Sequence, residues 1–169
     1  SVYKKYKAHV TGMDIAENMI KLAKQKARKH QSNKIKFLEG DAEFMPFQDN
    51  SFNALTISFG FRNLGSYEKA LSEFYRVLNQ NGRVAILEFS KSKSKWFSPL
   101  FNFYFNRVVP RIGAMLSRKD AFLYLPESVD CFLKRKELCA MMSKIGFKNI
   151  KYKDYTFGVV TIYVGDKIE

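Results

Sequence analysis

Two short runs, Ala54 to Phe59 and Val84 to Phe89, are built from apolar and β-branched residues and carry one charge between them, at Glu88. A strand that is apolar on both faces belongs in a parallel sheet covered by helices on both sides. Between these runs, Ser66 to Leu78 places Ala70, Leu71, Phe74 and Leu78 on one side, the spacing of an amphipathic helix. Asn81-Gly82 follows as its stop, with Gly82 as a left-handed cap. The same alternation occurs upstream. His9 to Met13 reads as a strand ending at Asp14, and Lys34 to Leu38 as another. The helix between them runs from Ala16 to His30, with Asp14 and Glu17 in the layout of a capping box and lysines and Arg28 in the last turns. Three strand–helix alternations predict an α/β fold with right-handed crossovers. Lys134 to Ile145 reads as a further helix closed by Gly146. Asn149 to Asp154 and Gly158 to Val164 are separated by a short turn, which predicts an antiparallel hairpin at the end of a mostly parallel sheet.

In such a sheet, ligands sit beyond the carboxyl ends of the strands. Asp14 follows the first strand, where a carboxylate accepts from ribose hydroxyls or caps the next helix. Gly40-Asp41-Ala42-Glu43 follows the second, where a polar side chain and a backbone amide read an adenine edge or form an ordinary Gly-Asp turn. Ser58-Phe59-Gly60-Phe61-Arg62-Asn63 follows the third. Gly60 admits close approach of backbone to a ligand. Arg62 and Asn63 place polar donors there, although Arg62 has a structural alternative as the partner of Glu88. A nucleoside site needs all three tips together, so their joint occurrence weighs more than each alone.

The formal net charge is +13, from 29 Lys and Arg against 16 Asp and Glu, which favours anionic partners. Much of it lies between Ser90 and Lys119, a stretch without an acidic residue in which Lys91, Lys93, Lys95, Arg107 and Arg111 alternate with Trp96, Phe97, Phe101 and Phe105. Leu100 to Val109 reads as a helix apolar nearly all round, stopped by Pro110. Cys131 and Cys139 lack zinc-site spacing, so no metal is expected. His9 begins a strand and His30 ends a basic helix, and neither is placed to act as a base.

The strings Asp14-Ile15 to Met19 and Gly40-Asp41-Ala42-Glu43, with Pro46-Phe47 and Asp49-Asn50-Ser51-Phe52, resemble the class I S-adenosylmethionine-dependent methyltransferase pattern. Phe59-Gly60-Phe61-Arg62-Asn63, Tyr75-Arg76-Val77-Leu78 and Leu87-Glu88-Phe89-Ser90-Lys91 are similar to the ubiquinone/menaquinone biosynthesis C-methyltransferase family. Val109-Pro110-Arg111-Ile112-Gly113, Tyr124-Leu125-Pro126-Glu127-Ser128 and Thr156-Phe157-Gly158-Val159-Val160 extend that resemblance over essentially the whole chain. It implies a Rossmann-like sheet and S-adenosylmethionine as methyl donor, held at Asp14 (ribose), Asp41 and Ala42 (adenine) and Ser58 (methionine end). The implied acceptor is a polyprenylated quinol, methylated at a ring carbon. Arg62 would stabilise the quinolate or orient a water, Asn63 and Tyr124 would position ring hydroxyls, and Glu88 would serve as base or as the partner of Arg62.

Family members carry a first strand and a Gly-rich loop before the residue matched by Asp14. Here thirteen residues precede it, with Gly12 their one glycine. The expectation is therefore a single domain over 1–169 that is incomplete at its N-terminus, lacks a central strand and binds the donor poorly. Residues 90–130 are expected to form a basic aromatic insertion covering the substrate or facing a membrane. The expected partners are the lipid quinol, an anionic membrane surface, and a second copy or a biosynthetic complex. The expected location is the cytoplasmic face of the inner membrane, or the mitochondrial matrix in a eukaryote. Amine-methylating enzymes of nucleic acids carry an Asn/Asp-Pro-Pro-aromatic string where Phe-Gly-Phe-Arg-Asn stands here, so nucleic acid is not an expected partner. The alternatives are a methyltransferase for another hydrophobic or phenolic acceptor, and an inactive or binding protein that retains the fold.

Overall fold

The computed structural model describes residues 8–28, 34–90 and 132–168. The expected helix over Leu100 to Val109, the rest of the basic aromatic segment, Tyr124, Cys131 and His30 lie outside the described residues. Strand β1 (Val10–Asp14), helix α1 (Glu17–Arg28) and strand β2 (Ile35–Glu39) form the first unit. β1 and β2 pair in parallel, from Val10 opposite Ile35 to Asp14 opposite Glu39. Gly12 is required by packing in this pair, because a Cβ there would lie 2.8 Å from the Phe37 ring.

A four-stranded sheet follows, in the order β3-β4-β6-β5. Its strands are β3 (Phe52–Ser58), β4 (Leu78–Phe89), β5 (Lys148–Tyr155) and β6 (Val160–Asp166), and its helices are α2 (Tyr67–Val77) and α3 (Arg135–Ile145). β3 and β4 are parallel. β6 runs antiparallel to both β4 and β5, as the sequence predicts for the terminal hairpin. Val84 and Ile86 of β4, Tyr163 of β6, Leu71 and Phe74 of α2, and Leu138 and Met142 of α3 bury together as the core.

Two expectations are corrected. β3 is not covered on both faces, since Ala54, Thr56 and Ser58 are exposed while Leu55 and Ile57 turn toward the core. The α2 and α3 layer covers one face of this sheet, and β4 is the one described strand that pairs with β3. Nor does Gly82 cap α2. The helix stops at Val77, and buried Leu78 passes directly into β4 opposite Phe52. The Leu78 carbonyl, which a helix end would leave orphaned, accepts from the Lys167 ammonium at 2.8 Å. Asn81, not Gly82, takes the left-handed backbone (φ 63°). Gly82 is needed instead for closeness, since a Cβ there would meet the Asn79 carbonyl at 2.7 Å.

The loop from β2 to β3 is tied to α2 by one side chain in particular. Arg76 donates to Glu73 Oε1 (2.7 Å) and Oε2 (2.7 Å), to Asp49 Oδ1 (2.8 Å), and to the carbonyls of Phe47 (2.7 Å) and Met45 (3.0 Å). Glu73 Oε2 also accepts the Met45 N–H at 2.7 Å. The Arg76 guanidinium is the main reason the Glu73 carboxyl lies below its ordinary range, an effect that partial burial opposes. A carboxyl depressed in the folded state contributes stability above its unfolded value, about 4.3 for Glu, and loses it as pH falls through the folded value. Urea unfolding followed from pH 7 to pH 3 should therefore show stability falling below about pH 4.5. Glu73→Gln should flatten that slope. Arg76→Ala should cost about 2 kcal/mol at pH 7, because it strips a charge-assisted hydrogen-bond network. An unchanged acid slope in Glu73→Gln would remove this pair from the account.

Candidate functional site

The carboxyl ends of the parallel strands lie at one edge of the fold. Asp14 and Asp41 emerge there side by side, and the Gly40 N–H donates to the Asp14 carbonyl at 3.1 Å. Each carboxylate also organises its own turn. Asp14 Oδ1 accepts the Ala16 N–H at 2.8 Å, and Asp41 Oδ1 accepts the Glu43 N–H at 2.9 Å. Asp41 thus forms the expected Gly-Asp turn, whereas Asp14 does not cap α1 as expected: the helix begins at Glu17, and the amide Asp14 accepts is that of Ala16, ahead of it. Asp14 is exposed, and Asp41 and Ala42 are half-buried. Ser58 ends β3, exposed at the same edge but in the second sheet. The structure thus sets Asp14 at the end of β1 and Asp41 and Ala42 in the turn that follows the neighbouring β2. Ser58 stands beyond them, and no described strand joins β1 to β3.

Glu43 is a site-building residue that sequence reasoning passed over. Its Oε1 accepts the Ser66 N–H at 2.8 Å, at the N-terminus of α2, where the helix dipole favours negative charge. This links the adenine-side turn to the second sheet. Its position in the Gly-Asp-Ala-Glu string was the available signal.

After Ser58 the chain turns sharply. Phe59 takes a left-handed backbone (φ 57°), uncommon for a bulky residue. Its N–H donates to the Leu87 carbonyl (2.8 Å) and its ring packs on Phe89 at 4.6 Å. Gly60 is not left-handed (φ −119°), and a Cβ there would touch Ile57 at an ordinary 3.7 Å. The strained residue is therefore Phe59 and not the glycine. Arg62 holds the turn, with Nη1 donating to the Phe59 carbonyl (2.6 Å) and to Glu88 Oε1 (2.9 Å). The side chains of Arg62 and Glu88 are 4% and 0% exposed. Glu88 Oε2 accepts the Arg62 N–H at 3.1 Å, and Oε1 also accepts the Phe89 N–H at 2.9 Å. Both Glu88 oxygens are thus committed inside the protein. Of its two anticipated roles, the structural partnership is the one this geometry displays, and an enclosed carboxylate with both oxygens engaged is poorly disposed to act as base. Asn63, the next residue after Arg62, is exposed.

A second clamp faces this one across the sheet. Glu88 of β4 lies opposite Thr161 of β6, which lies opposite Asp154 of β5. Asp154 Oδ1 accepts from the Thr161 hydroxyl (2.7 Å) and from Arg135 Nε (2.7 Å), and Arg135 Nη2 donates to the Gly158 carbonyl (2.6 Å). Nothing in the sequence pattern joined Arg135 to Asp154, because nineteen residues and a change of element separate them.

The donor set suits a nucleoside. Two carboxylates on neighbouring strand ends accept from hydroxyl or amino groups, and the half-buried Ala42 offers a small surface beside them. Among the described residues no metal-binding cluster of His, Cys, Asp or Glu occurs, and no helix is long and apolar enough to cross a membrane.

Residues 1–167 match the profile of the ubiE/COQ5 methyltransferase family. The demethylmenaquinone methyltransferase of Thermus thermophilus is 45% identical over 161 residues, spanning 95% of this chain and 72% of that protein. The ubiquinone/menaquinone biosynthesis C-methyltransferase UbiE of Geotalea daltonii is 42% identical over 159 residues, 94% of this chain and 68% of that protein. The chain thus spans about two-thirds of the length of these relatives. Among solved structures, phosphoethanolamine N-methyltransferase 2 of Haemonchus contortus, in complex with S-adenosyl-L-methionine, superposes with a TM-score of 0.72 at 13% identity, covering 99% of this chain and 45% of that one. At that identity the match concerns the fold alone, which is that of S-adenosylmethionine-dependent methyltransferases.

The buried pair generates a stability test. Arg62→Ala and Glu88→Ala should each cost about 3–5 kcal/mol, because each strands a buried charge. The double variant should cost clearly less than the sum of the two. Additive losses in denaturant unfolding would mean that the two side chains do not depend on one another.

Proposed function

The chain belongs to the ubiE/COQ5 methyltransferase family, and from that premise we propose that it transfers the methyl group of S-adenosylmethionine to a ring carbon of a polyprenylated quinol. The observation that carries this reading is one edge bearing two features together. Asp14 and Asp41 form a hydroxyl- and amine-accepting pair, and beside them the Phe59–Asn63 turn is held by a buried ion pair. The relatives' names give the acceptor class. The donor supplies a methyl group on a sulfonium, already strongly electrophilic. The protein's part is to align a nucleophilic carbon with it and to exclude water.

In this reading Asp14 accepts from the ribose, Asp41 and Ala42 hold the adenine, and Ser58 lies toward the methionine end. The quinol carbon becomes nucleophilic as a ring hydroxyl loses its proton. As the carbon–methyl bond forms, the carbon–sulfur bond breaks, its electron pair stays on sulfur, and the ring proton then leaves. Exposed Asn63 positions the ring hydroxyl and stabilises the developing oxyanion. Arg62 stays protonated at any working pH. It acts from beneath, fixing the turn that presents Asn63 while Glu88 balances its charge. Tyr124 is proposed as a second ring-positioning residue on the strength of the family resemblance. The basic aromatic segment is proposed to meet an anionic membrane surface, from which a prenylated quinol has to be collected.

Incubation with S-adenosylmethionine and a short-chain demethylmenaquinol should yield the ring-methylated product by mass spectrometry. Asn63→Ala should lower kcat by about 100-fold, the scale of one lost oxyanion donor, with an unchanged melting temperature. Methylation on oxygen, or full activity in Asn63→Ala, would overturn the assignment. Co-sedimentation with phosphatidylglycerol vesicles should be lost at high salt. Binding indifferent to salt and to lipid charge would remove the membrane partner.

A further inference from the structure

Among the described residues two exposed phenylalanines have left-handed backbone, and each is held at the same edge by an arginine, buried Arg62 or half-buried Arg135. Phe59 (φ 57°) is 38% exposed and Phe157 (φ 56°) is 70% exposed. Arg62 donates to the Phe59 carbonyl, and Arg135 to the carbonyl of Gly158, directly after Phe157. Each arginine is anchored by a carboxylate of the row Glu88, Thr161, Asp154 that crosses the sheet. Around Phe157 three consecutive residues have positive φ: Thr156 (49°), Phe157 (56°) and Gly158 (86°). A β-branched residue and a bulky aromatic in this region are genuine outliers. Such strain persists only where surroundings over-determine it, and it clusters at sites that hold ligands. A turn under this constraint that turns a large ring outward gains no core packing from it.

Strand order says what the ring faces. Within the larger sheet the order is β3-β4-β6-β5, so β6 and β5 lie on the far side of β4 from β3. The nucleoside carboxylates lie on β1 and β2, and the acceptor-facing turn follows β3. Val160 of β6 is the partner of Phe89, and the Ser90 N–H donates to the Val159 carbonyl. The Phe157 turn therefore lies on the β6 side of the aromatic pair Phe59–Phe89, about two strand spacings or 10 Å from β3. A substituent that runs along this edge toward β6 from a ring seated over Phe59 and Asn63 meets the Phe157 ring.

We propose that Phe157 is a specificity-determining residue that packs against the first isoprene units of the acceptor's tail, with Arg135 and Asp154 as the positioning residues that hold its turn. This rests on the quinol reading and adds the place where the tail is recognised. The test compares two quinones on the wild-type chain and on Phe157→Gly, with S-adenosylhomocysteine present, by fluorescence quenching. One quinone is 1,4-naphthoquinone and the other carries a diprenyl chain. Wild type should bind the diprenyl compound more tightly. Phe157→Gly should raise its Kd about tenfold, the scale expected when one large apolar contact is lost, and leave naphthoquinone within twofold. Glycine also relieves the left-handed strain, so the melting temperature should hold or rise. Equal losses for both quinones, no loss for either, a lowered melting temperature, or a wild-type chain indifferent to the tail would each overturn the proposal. Failure of the wild-type chain to bind either quinone would instead overturn the quinol reading on which it rests.

Discussion

The Arg62–Glu88 pair is the interaction on which the turn after β3 depends. Val84, Ile86 and Glu88 alternate onto the same face of β4, so Glu88 continues an apolar stripe with a charge. Burial makes that charge costly unless it is paired and its remaining lone pairs are occupied. Arg62 supplies the pairing, and two backbone N–H groups supply the rest. The guanidinium then has a direction left over, which it spends on the Phe59 carbonyl. A strained turn at the end of β3 is thus fixed from the core outward. An exposed ion pair could not do this, since solvent would offer both partners alternatives.

The first sheet is held by different means. β1 and β2 form their own two-stranded sheet, linked to the second by Glu43 at the start of α2 and by the Glu73–Arg76 network. These ties all converge on α2. That helix therefore does two jobs: Leu71 and Phe74 enter the core, while Ser66, Glu73 and Arg76 grip the loop following β2.

Much of this was legible in the sequence because it rests on local patterns. The 3.6-residue spacing of Ala70, Leu71 and Phe74, and the short turn between β5 and β6, determine element type and pairing. The strand tips at Asp14, Asp41 and Ser58 followed from the same reading. The end of α2 was read to within one residue, but its cause was misread because Asn81-Gly82 is a strong local stop signal. Leu78 is drawn into the core opposite Phe52, and that tertiary demand ends the helix at Val77, ahead of the Asn81-Gly82 pair. The exposure of Ala54 and Thr56 was misread because a run of apolar residues does not reveal which face has a covering layer. Arg135, Asp154 and the backbone of Phe157 were out of reach, since they depend on a register across β5 and β6 that spacing alone does not give.

The division into a small sheet and a larger one has a dynamic consequence. Cooperative opening follows contiguous packing, and the large sheet holds the continuous core of Phe61, Phe74, Leu138 and Tyr163. The β1–α1–β2 unit buries little of its own; Ile20 is the one residue of α1 that is buried. Its amides should thus breathe on a faster timescale than those of β4 and β6, with the Glu43 and Arg76 ties as the latch. A ligand that bridges both halves would slow that breathing, so protection of β1 would report occupancy of the whole edge.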